Sequence, residues 1–205
     1  MNLIMFDFDG VIIDSLEQFT KDFISACNKH GLLAVRSQRD MLDLFDNNVY
    51  ESILSLGIDE DTIDNILSSY KKNSEKNIFN SKLFGGVKEM LQSLSLNNKV
   101  FIITSNISSL TTDFLKSNGV DCVEDVIGAD VEKSKIKKIK HVMNLHPNLP
   151  SYYIGDTKGD MTEGKIAGAK TIGVTWGWHT LCQLENGEAD FIANCPSDIL
   201  DIFKI

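Results

Sequence analysis

Cysteine, proline and positive charge are all sparse in this sequence, and each shortage removes a class of protein. The four cysteines, Cys27, Cys122, Cys182 and Cys195, form no CxxC pair and share no repeated spacing, so they indicate neither a zinc site nor a disulfide framework and read as reduced packing thiols. Only three prolines occur in 205 residues, and there is no Pro-rich linker, low-complexity tract or internal repeat to divide the chain. Against 29 Asp and Glu stand 20 Lys and Arg, a formal charge of −9 with a pI near 4.9. That balance disfavours nucleic acid and anionic membrane surfaces as partners, because both need a positive footprint. Any phosphate must be held locally. No apolar run is long enough to span a bilayer and no basic n-region precedes the first one, which leaves the cytoplasm as the expected location. Oligomeric state is not legible.

At 42% hydrophobic, the chain can bury a core as one domain, or as one domain plus a smaller inserted module. The informative stretch is the first fourteen residues, MNLIMFDFDGVIID, an apolar run that ends in carboxylates. Leu3 to Phe6 has the composition of a strand buried on both faces. Side chains in a strand alternate, so Asp7 and Asp9 at i and i+2 are expected to point the same way, and Gly10 permits a sharp turn just beyond. In open α/β sheets ligands bind at such strand ends. Taken alone, a DxDG could equally be turn chemistry closing a strand. An EF-hand loop is rejected, because only half its ligand pattern is present and the flank is strand-like.

From Asp14 to Lys82 the pattern is helical throughout. Ser15-Leu-Glu-Gln18 has the form of a capping box ahead of Phe19, Phe23 and Cys27, and Gly31 stops that helix. Further amphipathic runs follow around Met41 to Phe45, Val49 to Leu56 and Asp59 to Tyr70. Residues 14–82 are therefore expected to be an inserted helical domain. From Leu83 onward helix and strand alternate, with strands at 99–104, 123–127, 151–155, 170–175 and 190–193. The expected fold is α/β, a doubly wound parallel sheet built from residues 1–13 and 83–205.

Three more polar clusters stand at predicted strand ends. Thr104-Ser105-Asn106 offers a hydroxyl and backbone N–H groups before a helix, fitting phosphate binding and simple helix capping about equally. Gly155-Asp156-Thr-Lys-Gly-Asp160 delivers two more carboxylates, which suit a hard cation such as Mg2+, although a solvated acidic loop is the competing reading. In Lys133-Ser-Lys135-Ile-Lys137-Lys138-Ile-Lys140, Ile136, Ile139 and Met143 form a core stripe and most lysines read as a solvated face. One lysine near the first turn could balance the carboxylates; Lys135 is the choice, with Lys133 second. Trp176, Trp178 and His179 follow a strand end and read as packing groups ahead of pocket groups.

Taken together, these motifs resemble the haloacid dehalogenase superfamily of phosphatases, most closely its phosphoglycolate phosphatase-like branch with a helical cap, over essentially the whole chain. Asp7-Phe-Asp9-Gly10-Val-Ile-Ile-Asp14-Ser15 is similar to motif I, Thr104-Ser-Asn to motif II, and Gly155-Asp156-x-x-x-Asp160 to motif IV; Ala169 to Gly177 is similar to the branch's following strand and loop. The Lys-Pro that often marks motif III is absent. The resemblance implies Asp7 as nucleophile, Asp9 as general acid and base, and Thr104 as a hydrogen bond to the transferring oxygens. It also implies Lys135 and Mg2+ as charge stabilisers, with the ion held by Asp7, Asp156 and the Asp9 main-chain carbonyl and with Asp160 in or near its shell. Gly10, Ser105 and Asn106 would contact the phosphate, and the helical insertion would be a lid over a small phosphorylated metabolite, 2-phosphoglycolate being the namesake candidate. A sugar-phosphate mutase of the β-phosphoglucomutase kind would keep all these residues. A phospho-acceptor switch domain would need most of them, and a dehalogenase would leave Asp9, Asp156 and Asp160 without a purpose.

Overall fold

The computed structural model describes residues 1–46 and 49–204. The sheet has six strands, all parallel, in the order β5-β4-β1-β6-β7-β8. These are β1 Leu3–Phe6, β4 Lys99–Ile103, β5 Asp125–Ile127, β6 Ser151–Gly155, β7 Lys170–Val174 and β8 Phe191–Ala193. β1 is central, and every one of its residues is fully buried, as a strand covered on both faces requires. Alternation then sorts its side chains. Ile4 and Phe6 join Val100, Ile102, Ile154 and Ile172 on one face, whereas Leu3 and Met5 join Phe101, Ile103 and Tyr153 on the other.

Helices α5 Val87–Ser95, α6 Ser108–Ser117 and α10 Pro196–Phe203 cover the first face, and α7 Lys135–Leu145 and α8 Lys158–Ala167 the second. The short α9 Leu181–Asn186 lies between β7 and β8 in sequence. Because the chain goes from β1 to β4 on one side and later crosses to β6 on the other, the sheet's switch point falls beside β1, where a crevice must open.

The helical stretch contains α1 Leu16–Lys29, α2 Gln38–Leu44, α3 Val49–Ser55 and α4 Glu60–Asn77. These pack around their own apolar cluster, which includes Phe23, Met41, Ile53, Ile63 and Ile66. A two-stranded antiparallel ribbon, β2 Ile13–Asp14 paired with β3 Lys82–Leu83, clamps the two ends of this stretch together. Two-residue strands carry no periodic signal, which is why the sequence did not announce the ribbon. Ser15 does precede α1, but its hydroxyl makes no capping hydrogen bond, contrary to the capping-box expectation; its Oγ is buried without a hydrogen-bond partner among the described residues. Among the described residues no helix is long and apolar enough to cross a membrane.

Candidate active site

β1 ends at Phe6, and the ladder continues one step through Asp7 N–H to the Ile154 carbonyl at 2.8 Å. Beyond that the chain folds on itself: the Gly10 N–H donates to the Ile13 carbonyl, and the Ile12 and Ile13 N–H groups to the Phe8 carbonyl. Phe8 is the anchor. Its fully buried ring meets Phe114 edge-on at 5.7 Å, so the residue between the two aspartates ties their loop to the core; emptying such a site costs about 3–5 kcal/mol. Gly10 adopts φ +73°, and a Cβ there would overlap the Asp156 carboxylate. Only glycine allows this close approach.

The two aspartates reach the crevice but face different neighbours, a refinement of the same-side expectation that follows from the turn starting at Asp7. Asp7 Oδ1 accepts from the Phe8 N–H at 2.8 Å, and Oδ2 accepts from Lys135 Nζ at 3.0 Å. Burial raises the Asp7 carboxyl to about 7 despite the lysine, with Asp160 and Asp9 adding to the rise. Asp9 instead accepts from Asn106 Nδ2 at 2.7 Å. Burial raises it too, opposed by Ser15, Asn106 and Lys135. One N–H of the Asn106 amide is thus given to Asp9, and Ser105 is exposed. The Thr104 hydroxyl, buried at the end of β4, accepts from the Asn106 N–H at 3.0 Å. It does not cap α6, whose N-cap is Ile107 without a side-chain bond.

From the end of β6, Asp156 enters with Oδ2 accepting from the Trp178 N–H at 2.8 Å. Its Oδ1 is buried and has no hydrogen-bond partner. Burial, then Asp160 and Asp7, hold this carboxyl well above the usual range. Asp160 differs. Its Oδ2 accepts from the Thr157 N–H and hydroxyl at 3.1 and 2.7 Å, closing a capping box on α8. Its Oδ1 accepts from Lys135 Nζ at 2.6 Å and from the Tyr153 hydroxyl at 3.2 Å. Burial alone would raise the carboxyl, but Lys135 and Thr157 hold it below its ordinary value. Lys135 thus bridges Asp7 and Asp160 from the first residue of α7.

A divalent cation fits this donor set. Oxygens of Asp7, Asp156 and Asp160 lie within 4.8 Å of one another, and the unpartnered Asp156 oxygen is the kind of buried acceptor that a hard ion satisfies. Asp7 and Asp160 each have both oxygens engaged, and each accepts one bond from Lys135. The side chain of Asp9 is turned away, toward Asn106, and does not belong to the cluster.

Two groups of residues escaped the sequence reading. Lys138 was placed with the solvated lysines, yet it is buried and donates to the Thr104 carbonyl; burial, then Lys135, bring its pKa down to about 8. It lies three residues after Lys135, on the same helix face, a spacing that could have betrayed it. The second group lines a cleft above Asp9, between α1 and α4, and includes Gln18, Asp22, Tyr70, Ser74 and Asn77. No local motif announces them. Trp178 does pack, its ring meeting Phe19 at 4.5 Å and Phe45 at 5.4 Å across the boundary with the helical stretch. His179 is buried and accepts from the Lys158 N–H at 3.0 Å.

The family model described as haloacid dehalogenase-like hydrolase matches residues 4–174. A curated pyrophosphatase PpaX from Bacillus cereus is 26% identical over all of this chain and 97% of its own length. A phosphoglycolate phosphatase from Vibrio vulnificus is 25% identical, with the same coverage of both chains. The crystal structure of a predicted phosphatase from Clostridium acetobutylicum superposes with a TM-score of 0.84 at 23% identity, over 100% of this chain and 99% of that one.

Proposed function

We infer the function from one premise: this chain belongs to the haloacid dehalogenase-like hydrolase family. Within it the chain is a phosphatase, and we propose a phosphomonoesterase that needs a divalent cation, Mg2+ by the chemistry of its oxygen donors, and works through an aspartyl-phosphate. Residues 14–82 act as its cap. The names of its relatives offer 2-phosphoglycolate and pyrophosphate as first candidates for the substrate.

One observation carries the reading: two carboxylates from a single strand end sit in opposite environments, Asp7 among the acids and Lys135, Asp9 against Asn106 beneath the cap. Environments that separate two carboxyls in this way also separate their roles. Asp7 has the position of the nucleophile, attacking phosphorus with one oxygen while Lys135 steadies the other. Asp9, whose burial favours its proton, protonates the leaving oxygen and then takes a proton from the water that hydrolyses the acyl phosphate. Thr104, held by the Lys138 and Asn106 contacts, lies where it would bond the transferring oxygens. When bound, the cation held by Asp7 and Asp156 supplies charge neutralisation that lets a phosphate dianion enter among carboxylates. Asp160 and Tyr153 keep Lys135 in place.

Phosphate release from p-nitrophenyl phosphate, measured with Mg2+ and again after exhaustive chelation, tests the reading. Turnover that disappears with the metal and returns on its addition is expected. Undiminished turnover in chelator overturns the metal requirement, and no turnover under either condition overturns the phosphatase.

A further inference from the structure

The cleft above Asp9 receives whatever the phosphate is attached to, because Asp9 protonates the leaving oxygen. Its walls are polar and its charge is one-sided. Among its described lining residues there are two carboxylates, Asp9 and Asp22, and no Lys, Arg or His. Asp22 is buried, and both its oxygens accept from Asn77 Nδ2 at 3.0 Å. A neutral amide therefore holds it where a cation would be expected. On α1, Lys21 is used elsewhere, paired with Glu17.

We propose that the physiological leaving group is an alcohol that carries further hydroxyl groups and no anionic group, a polyol or short sugar, and that esters with an anionic leaving group are disfavoured. This rests on the phosphomonoesterase reading above. A carboxylate or second phosphate in the cleft would be buried beside Asp22 with no counter-charge among the described lining residues, an arrangement that costs both desolvation and like-charge repulsion. A hydroxyl group meets the opposite situation. The Tyr70 hydroxyl, kept protonated by burial and then by Asp9, can donate and accept, as can Ser74 and the amides of Gln18 and Asn77.

The test measures kcat/KM of the full chain with Mg2+ on glycerol phosphate, 2-phosphoglycolate and pyrophosphate, with p-nitrophenyl phosphate as the independent check on phosphatase activity. Glycerol phosphate should exceed both 2-phosphoglycolate and pyrophosphate by at least roughly tenfold, the scale on which like-charge contacts discriminate. If p-nitrophenyl phosphate is hydrolysed but a charged substrate equals or surpasses glycerol phosphate, this inference falls while the phosphatase stands. If nothing is hydrolysed, both fall. Asp22→Asn supplies a second reading, because a ratio measured within one variant does not depend on how much of it is folded. The preference for glycerol phosphate over 2-phosphoglycolate should narrow several-fold when that charge is removed; an unchanged ratio would show that charge in the cleft is not what selects.

Discussion

The crevice and the cleft meet at Asp9 yet are built on opposite principles. In the crevice every carboxylate oxygen of Asp7, Asp156 and Asp160 but one is answered: Lys135 serves Asp7 and Asp160, Thr157 serves Asp160, backbone N–H groups serve Asp7 and Asp156, and the Asp156 Oδ1 alone has no partner among the described residues. Asp7, Thr104 and Asp156 come from the ends of β1, β4 and β6, whose positions the parallel ladder fixes, and Lys135 and Asp160 from the first turns of α7 and α8, which pack on that sheet. In the cleft the groups are side chains of α1 and α4, two helices that hold each other by aromatic packing, with Tyr70 against Phe19 at 4.6 Å and against Phe23 at 5.8 Å. The lesson is a division of labour. A strand-end site is precise because the sheet is rigid, and it performs the same step on any ester; a helical wall can vary its polar lining without disturbing that step.

Variants should separate the two regions by whether all esters suffer alike. The largest effect belongs to Asp7→Asn, which removes the attacking oxygen: kcat should fall on the order of 10⁴-fold on every ester tested. Substantial residual activity on any one of them would mean that the crevice does not carry the common step. Lys135→Ala comes next, with a loss of roughly 10²–10³-fold, again independent of the ester, because it removes a buried charge from two carboxylates. Lys137→Ala, two residues away but with a side chain 73% exposed, should stay within about twofold; comparable damage from both would dissolve the distinction between the bridging lysine and its solvated neighbour.

The cleft should respond more weakly and selectively. Asn77→Ala leaves Asp22 without its amide and should lower kcat/KM on glycerol phosphate about tenfold, the scale of one hydrogen bond to a charged group, with a smaller loss on p-nitrophenyl phosphate. Equal losses on the two esters would instead make Asn77 a structural support for the crevice.

The smallest effect is one of pH. The folded Asp7 carboxyl titrates near 7 against an ordinary value of 3.8. Between those values the folded chain holds a proton that the unfolded chain has lost, so without metal stability declines as pH rises through this window and levels off above 7. A cation must displace that proton below pH 7. The gain in Tm from Mg2+ should therefore be about 2–4 °C larger at pH 8 than at pH 6, as read by differential scanning fluorimetry; an equal or larger gain at pH 6 would remove Asp7 from the ion.

The same contrast explains what could be read from the sequence. An apolar strand that ends in Asp-x-Asp-Gly is a contiguous signal, and the parallel sheet follows from helix and strand alternation, so the fold and the crevice acids were legible. Lys135 required a choice among lysines that only its place at the start of α7 resolves. Lys138 was missed because a lysine three residues on in a basic run looks like solvent-facing charge; only the packing of α7 against the end of β4 buries it. Ser15 looked like a helix cap, but its buried hydroxyl makes no capping bond, and spacing alone cannot decide which local bonds such a side chain makes. Asp22 and Asn77 lie 55 residues apart on different helices and share no motif, so the lining of the cleft could not be assembled before the fold was known.

The most direct test of the account is the fate of the phosphoryl group in Asp9→Asn. This variant keeps the nucleophile but cannot activate water, and p-nitrophenolate leaves with little acid assistance, so the first step should proceed while the second lags. Intact-mass analysis after mixing with p-nitrophenyl phosphate and Mg2+ should show a gain of one phosphoryl group, mapped to Asp7 by peptide fragmentation. A phosphoryl group on any other residue, or turnover by Asp9→Asn at the parent rate with no adduct, would contradict the assignment of nucleophile and acid to these two aspartates.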